Sequence, residues 1–177
     1  ANMSGRVSAV LGIPGDSKTF WFAGAGGGVF KSTNAGVTFE AQFENEWAYV
    51  VGALALAPSD HNVVWLGSGE GDPRNSVGYG NGVYRSTDGG NNWTHLGLDN
   101  TERIKRIVVH PENPDTALVC ALGHEWGANE DRGVFKTTDA GQTWDKVLYV
   151  DQDTGCSDLD MDLSNPRNLY AGMWTFR

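Results

Sequence analysis

Short apolar stretches alternate with turn-forming residues along the whole chain. Three stretches rich in Val, Ile, Leu and Ala lie at 6–11, 50–56 and 104–109. Each is followed by a turn containing Pro and by a second apolar stretch, at 20–24, 63–67 and 117–121. Gly and other turn residues interrupt every window in which a helix of ordinary length would fit. The pattern therefore predicts an all-β protein built from short strands.

Each unit continues into a hairpin whose turn is spelled almost identically in the three segments 28–39, 82–93 and 133–144. The shared spelling is Ser/Thr-x-Asp-x-Gly-x-Thr-Trp. An Asp or Asn side chain accepts hydrogen bonds from the amides of such a turn, and Gly adopts positive φ there without steric cost. The aromatic residue covers the apolar side of the hairpin and leaves an indole N–H to find an acceptor. The residues in question are Ser32, Asn34, Gly36, Phe39, Ser86, Asp88, Gly90, Trp93, Thr137, Asp139, Gly141 and Trp144.

The recurrence of this unit about every 50 residues predicts a β-propeller of four-stranded antiparallel blades. In strand order A to D, the blades are expected at about 4–45, 47–99 and 102–150, with half of a fourth at about 155–177. Three and a half blades are fewer than the smallest closed ring of about four. We therefore expect the chain to be part of a longer ring of seven or more blades. The alternative is that two copies associate as a homodimer.

The three turns resemble the Asp-box (BNR) repeat of sialidase-like, xyloglucanase-like and sortilin-like propellers. The match favours the bacterial glycosyl-hydrolase-like or sortilin-like group. The first copy departs from the pattern with Asn34 and Phe39, so its turn is expected to be the weakest. The resemblance implies that the boxes are structural, that ligands bind at the opposite face, where the B–C and D–A connections lie, and that the protein is secreted or periplasmic.

Composition and charge argue against some classes of function. The net charge is −9 and no cluster of basic residues is present, which argues against a nucleic-acid partner. No apolar run reaches the roughly 18 residues of a membrane span, and the first four residues lack a signal-peptide pattern. Cys120 and Cys156 form either one bridge between neighbouring units or two buried thiols.

No cofactor or metal is expected from the sequence. The Gly-rich segment 24–28 lacks the Lys-Ser/Thr of a phosphate loop. His124-Glu125 is not part of His-Glu-x-x-His, because Ala128 occupies the last position. The alternating Asp158, Asp160 and Asp162 lack the Gly turn and closing Glu of a calcium loop.

The two long B–C loops, 67–81 and 122–132, are the candidate functional segments, since both exceed what a hairpin needs. Both combine carboxylates, Arg and an aromatic residue, a mixture that suits a sugar ring or a peptide side chain. The predicted ligand-binding residues are Glu70, Asp72, Arg74, Tyr79, His124, Glu125, Trp126 and Arg132. The alternative is that the charged residues among them form ion pairs that seal the ring.

Three functional hypotheses follow. The leading one is a non-catalytic propeller that binds a protein or a glycan at this face. The second is a glycoside hydrolase that uses Glu70 with Asp72, or Glu125 with Asp131, as its carboxylate pair. A sialidase would need three converging arginines, and the spacing of Arg6, Arg74 and Arg132 gives no support for it. The third is a structural domain of a larger secreted protein.

Overall fold

The computed structural model describes residues 6–72 and 76–175, and these residues form the predicted all-β architecture. The first sheet contains β1 (Val7–Ile13), β2 (Asp16–Gly24), β3 (Gly28–Ser32) and β4 (Glu40–Ala41). The second contains β5 (Val51–Ala57), β6 (Asp60–Ser68), β7 (Val83–Ser86) and β8 (Thr94–His95). The third contains β9 (Ile104–Val109), β10 (Ala117–Ala121), β11 (Gly133–Thr137) and β12 (Asp145–Leu148). The fourth contains β13 (Thr154–Met161) and β14 (Leu169–Thr175).

Within each sheet, every strand pairs antiparallel with the next in sequence, so each sheet is a simple meander. The first strands of successive sheets contact each other in chain order, from β1 through β5 and β9 to β13. A 3₁₀ turn at Asp99–Thr101 is the one helical element of the described residues. None of their helices has the length and apolar character needed to cross a bilayer.

Small residues on the inner strands allow the sheets to approach closely at the centre. A side chain at Gly52 would lie only 2.1 Å from the Ile104 carbonyl, and one at Gly67 only 2.3 Å from the Ile104 side chain. Ala53 and Ala55 are buried beside them on β5. Backbone-to-backbone packing of this kind accounts for the alternation of small and large residues in the innermost strands.

The hydrophobic core is divided among the junctions between sheets. Trp21 and Leu66 belong to the cluster between the first and second sheets, and Trp65 and Ile107 to the one between the second and third. The third cluster joins the third and fourth sheets around Leu118. Each junction thus buries apolar side chains from two adjacent units, so that the units stabilise each other.

The three repeat turns have the same hydrogen-bond pattern. In the second turn the Ser86 hydroxyl accepts the Gly90 amide at 2.8 Å and donates to the Asp88 carboxylate, which accepts the Asn92 amide at 2.9 Å. The third turn repeats these contacts with Thr137, Asp139, Gly141 and Thr143, and the first with Ser32, Asn34, Gly36 and Thr38. The amide oxygen of Asn34 thus occupies the place of the carboxylate oxygen.

Indole N–H groups join neighbouring sheets. Trp93 donates to the Gln42 carbonyl and Trp144 to the Leu96 carbonyl, both at 2.8 Å. In each case the acceptor lies just after the last strand of the preceding sheet. Trp21 and Trp65 donate in the other direction, to the carbonyls of Gly89 and Pro114 in the following sheets. Phe39, which stands where the other turns have Trp, has no N–H and packs on Phe20 and Phe22.

Cys120 and Cys156 form a disulfide, which decides between the two alternatives left by the sequence. Cys120 lies on β10 and Cys156 on β13, so the bond connects the third sheet to the fourth. Both residues are fully buried within the third apolar cluster. The fourth sheet is therefore attached to the third by a covalent bond as well as by packing.

Acid is expected to weaken the repeat turns. Hydrogen bonds from the Thr143 hydroxyl and amide and from Thr137 lower the pKa of Asp139 to about 2. Burial acts on Asp88 in the opposite direction, but hydrogen bonds from Asn92, Ser86 and Asn91 outweigh it and lower its pKa to about 2 as well. A carboxylate with a depressed pKa contributes stability above its unfolded pKa, and that stability is lost as pH falls through the folded value.

We therefore expect Asp139→Asn to be destabilising at pH 7, with the difference from the wild type shrinking as pH falls from about 4 towards 2. Thermal unfolding followed by circular dichroism across this range measures the effect. Asp145→Asn, on the exposed strand next to the turn, is the control and should change the melting temperature little at any pH. A wild-type advantage that stays constant down to pH 2 would contradict the expectation.

Candidate functional site

The two ends of the sheets differ in character. At one end, which we call the bottom face, the repeat turns contact the turns between first and second strands, as when the Gly89 amide donates to the Asn62 carbonyl. At the other end, the top face, lie loops 25–27, 69–82 and 122–132 and connections 42–50, 96–103 and 149–153 between sheets. Asp88 and Asp139 are therefore at the end opposite to Trp126.

The top face is joined across each junction by backbone hydrogen bonds. The Gly28, Gly80 and Asn129 amides donate to the carbonyls of Tyr49, Glu102 and Gln152, which belong in each case to the connection leading into the next sheet. The N···O distances are 2.9, 2.8 and 3.0 Å. The loops are thus held by the neighbouring unit rather than by their own sheet alone.

Loop 69–82 depends on glycine for its close fit. Gly69 has φ +84°, and a side chain there would lie 1.8 Å from the Glu102 carbonyl oxygen. A side chain at Gly80 would lie 2.3 Å from the Gly69 nitrogen. The two ends of the loop are therefore in close contact with each other and with connection 96–103, which only glycine allows. Tyr79, next to Gly80, has 55% of its surface exposed.

The two carboxylates of this loop are engaged by cations from neighbouring sheets. Glu70 is buried and forms an ion pair with Arg6, and the exposed Asp72 forms one with Lys105 of β9. Arg74, which the sequence also nominated, lies outside the described residues.

Loop 122–132 is organised around Arg132, which is buried. Its guanidinium donates to the carbonyls of Leu122 at 2.8 Å, His124 at 2.9 Å and Gly127 at 3.3 Å. One side chain thus gathers three carbonyls of the same loop.

Arg103 is a buried residue of this face that sequence reasoning missed. Its Nε donates to the Gly123 carbonyl at 2.9 Å, and Nη1 lies 3.8 Å from the Glu125 carboxylate. Burial lowers the pKa of Arg103, while the negative charges of Glu125 and Glu102 act in the opposite direction. The sequence signal that could have identified Arg103 is its position directly before β9, the first strand of its sheet. Arg6 precedes β1 in the same way.

His124 lies between two carboxylates. Its Nε2 is 3.7 Å from Glu102 and 3.9 Å from Asp131. These groups come from the connection before β9 and from the end of loop 122–132. Within the described residues, no three His, Cys, Asp or Glu side chains are placed to hold a metal ion.

Exposed aromatic side chains flank these charged groups. Trp126 follows Glu125 directly and has 72% of its surface exposed. Tyr79, in loop 69–82, is 55% exposed, and Glu125 beside Trp126 pairs with Arg103. The four tryptophans with buried or half-buried rings make the indole contacts described above, whereas Trp126 has no such contact among the described residues.

The groups described on the top face include several that can contact a ligand. Each nominated carboxylate lies within ion-pair distance of a basic side chain, and each has oxygens that can accept hydrogen bonds from a ligand. Exposed rings beside fixed hydrogen-bonding groups are suited to a ligand with both flat apolar faces and hydroxyls.

Solved structures share the fold of this chain. A crystal structure of an ancestral GH74 enzyme matches with a TM-score of 0.74 at 22% identity, covering 97% of this chain and 22% of that one. The GH74 xyloglucanase from Xanthomonas campestris matches with a TM-score of 0.71 at 18% identity, covering 98% and 28%. The fold is that of a β-propeller. The propeller portion present here comprises three four-stranded blades and two strands of a fourth.

A protein with a similar sequence is also named as a xyloglucanase. A probable oligoxyloglucan-reducing end-specific xyloglucanase of Neosartorya fischeri is 27% identical over 164 residues, which are 88% of this chain and 18% of the relative. YCF48 bound to the D1 peptide, a solved complex, matches the propeller with a TM-score of 0.58 at 16% identity, covering 90% and 44%. No protein-family model matches the chain. The chain spans about a fifth of the length of the xyloglucanase relative.

Proposed function

We propose that the top face binds a glycan, and that this part of the propeller recognises it without supplying the catalytic carboxylates. The observation that carries the proposal is the exposure of two aromatic rings in the top-face loops, Tyr79 at 55% and Trp126 at 72%, the latter directly following Glu125, which pairs with Arg103. Sugar rings stack on aromatic faces, and their hydroxyls hydrogen-bond to fixed charged groups. The similarity to proteins named xyloglucanases supports a polysaccharide of plant cell-wall type as the ligand class.

We also propose an assignment of the repeat turns to a known type of repeat. The three repeat turns fit Asp-box (BNR) repeats of the bacterial glycosyl-hydrolase-like or sortilin-like group. Their support is the shared hydrogen-bond pattern from the Ser or Thr hydroxyl to the Gly amide, and from the Asp or Asn side chain to the later amide. In this interpretation the turns stabilise the bottom face and take no part in binding.

Calorimetric titration with xyloglucan oligosaccharides tests the proposal. Tyr79→Ala and Trp126→Ala are each expected to weaken binding about tenfold, which corresponds to about 1.4 kcal/mol for the loss of one stacked ring. Val37→Ala, at an exposed position of a bottom-face turn, is the matched control and should leave the affinity unchanged. Equal affinities for wild type and both aromatic variants would remove the top-face site.

A glycoside hydrolase is the second candidate, and the observation that favours it is the 27% identity to a probable xyloglucanase. Glu70→Gln and Glu125→Gln decide whether these residues take part in catalysis. A hydrolase that uses them would lose turnover of xyloglucan by more than about 100-fold while still binding it. Turnover that is present and unchanged in both variants would exclude the two residues from the mechanism.

The compartment and the assembly are proposed on separate grounds. The buried Cys120–Cys156 disulfide supports a secreted or periplasmic location, because disulfides persist in oxidising compartments. The remaining blades of the ring would come from a longer chain or from a second copy. Light scattering distinguishes these, since a self-complementing chain would have twice the mass of a monomer.

A further inference from the structure

The connection between the first and second sheets carries two exposed aromatic residues, Trp47 at 74% and Tyr49 at 65%. The carbonyls of Tyr49, Glu102 and Gln152 accept equivalent hydrogen bonds from the top-face loops, so these residues hold the same place in three successive connections. The residues two positions before them are Trp47, Asn100 and Val150. The shared backbone therefore does not require an aromatic residue at either place, and the pair of rings is specific to the first connection.

An apolar cavity of about 210 Å³ lies beside Tyr49. Val29, Phe30 and Phe43 line it, together with Glu44. A ligand hydroxyl placed against these carbon surfaces would give up hydrogen bonds to water and find few partners, which costs free energy. An aliphatic or aromatic side chain loses no such bonds and gains contact with the three apolar residues. The cavity therefore favours the apolar side chain of a protein over a sugar ring.

A second cavity, of about 180 Å³, adjoins the first and is rich in hydrogen-bond acceptors. The two cavities share Ala41, Phe43 and Glu44, and the second is also lined by Gln42 and Glu46. Gln42 Oε1 is buried and accepts no hydrogen bond from a described residue. A buried acceptor without a donor destabilises the folded state, so a donor supplied by a ligand is favoured here.

The charge of this connection indicates which donor fits the second cavity. Glu44 and Glu46 form no ion pair with a described residue, and the chain as a whole has a net charge of −9. Such a surface repels an acidic segment and attracts a basic one. Arginine matches it best, because the planar guanidinium carries the opposite charge and offers several N–H donors to carboxylate and amide oxygens.

We propose that the two cavities, together with Trp47 and Tyr49, form a docking surface for an extended segment of a partner protein. The partner places an apolar side chain in the first cavity and an arginine in the second. Side chains two residues apart in an extended chain point to the same side and lie about 7 Å from each other, which suits two adjoining cavities. This surface does not depend on glycan binding at Tyr79 and Trp126.

Fluorescence polarisation with labelled heptapeptides tests the docking surface. The three probes contain one Arg and one Phe separated by no, one or two Ser residues, with Gly and Ser elsewhere. The tightest of them is expected to bind the purified chain at least about tenfold more tightly than its counterparts with Glu in place of Arg or Ser in place of Phe.

Variants of the chain locate the binding of the tightest probe. Trp47→Ala and Glu46→Gln should each weaken it about tenfold. Asn100→Ala, at the equivalent place in the second connection, is the matched control and should leave the affinity unchanged. Because the Trp47 ring is largely exposed, Trp47→Ala should retain the wild-type melting temperature, which is measured alongside.

The docking surface is refuted if no probe binds, if Trp47→Ala keeps the wild-type affinity, or if the Arg and Glu peptides bind equally. A xyloglucan oligosaccharide that displaces the probe and itself requires Trp47 would assign the surface to a glycan instead. A mass that doubles with concentration in the wild type but not in Trp47→Ala would assign it to a second copy of the chain. Tyr79→Ala separates the two proposals, since it should lose glycan affinity and retain the affinity for the probe.

Discussion

Replacing Cys120 and Cys156 together by Ala is expected to lower the free energy of unfolding by about 4 kcal/mol. The bond closes a loop with a sequence separation of 36 residues, and the loss of that constraint enlarges the unfolded ensemble by about this amount in the chain-entropy model. Both residues are fully buried, so a small cavity adds to the loss. Urea denaturation of the oxidised wild type and of the double variant measures the difference.

A reducing agent provides the internal control for this expectation. It should shift the midpoint of the wild type towards that of the variant and leave the variant itself unchanged. Far-ultraviolet circular dichroism should also show that the sheet signal at low urea is retained. A double variant within about 1 kcal/mol of the oxidised wild type would show that packing between the third and fourth sheets is sufficient without the bond.

Arg132→Met is expected to have the second-largest effect, because it affects both stability and ligand binding. The substitution leaves the Leu122, His124 and Gly127 carbonyls without the buried donor that joins them, a loss of about 3 kcal/mol. The loop that carries Trp126 would then no longer be held in place. We expect glycan affinity to fall more than in Trp126→Ala, with a lower urea midpoint in the same variant.

Two further substitutions make the Arg132 result interpretable. Arg132→Lys keeps the charge but not the planar fork, so it should recover part of the stability and little of the affinity. Arg106→Met removes an exposed arginine of β9 and should change neither property by much. If Arg132→Met retained the wild-type glycan affinity, the loop would not depend on Arg132 for its binding conformation.

The strands and repeat turns could be predicted from the sequence because their signals are local. The alternation of apolar and turn residues is contained within each unit, and the spelling around Asp88 and Asp139 contains both the acceptor and the hydroxyl that it needs. The same local chemistry explains why Asn34 forms a similar turn, since its amide oxygen accepts the Thr38 amide at 2.9 Å. These features can be predicted without knowing which units are neighbours in the fold.

The top face was less predictable because its contacts join different units. Nothing next to Arg103 in the sequence indicates that the loop beginning at Leu122 covers it. The ion pair of Glu70 with Arg6 joins two different sheets as well. The Cys120–Cys156 pairing likewise required knowing that β10 and β13 are adjacent.

The indole contacts between sheets have an evolutionary consequence. Trp93 and Trp144 each find their acceptor one unit back, just after the last strand of the preceding sheet. Loss or gain of part of a unit would separate a tryptophan from its acceptor, whereas duplication or removal of one whole period would present every indole with an equivalent carbonyl. Descendants of this chain should therefore vary in length by complete modules, with partial insertions confined to the loops of the top face.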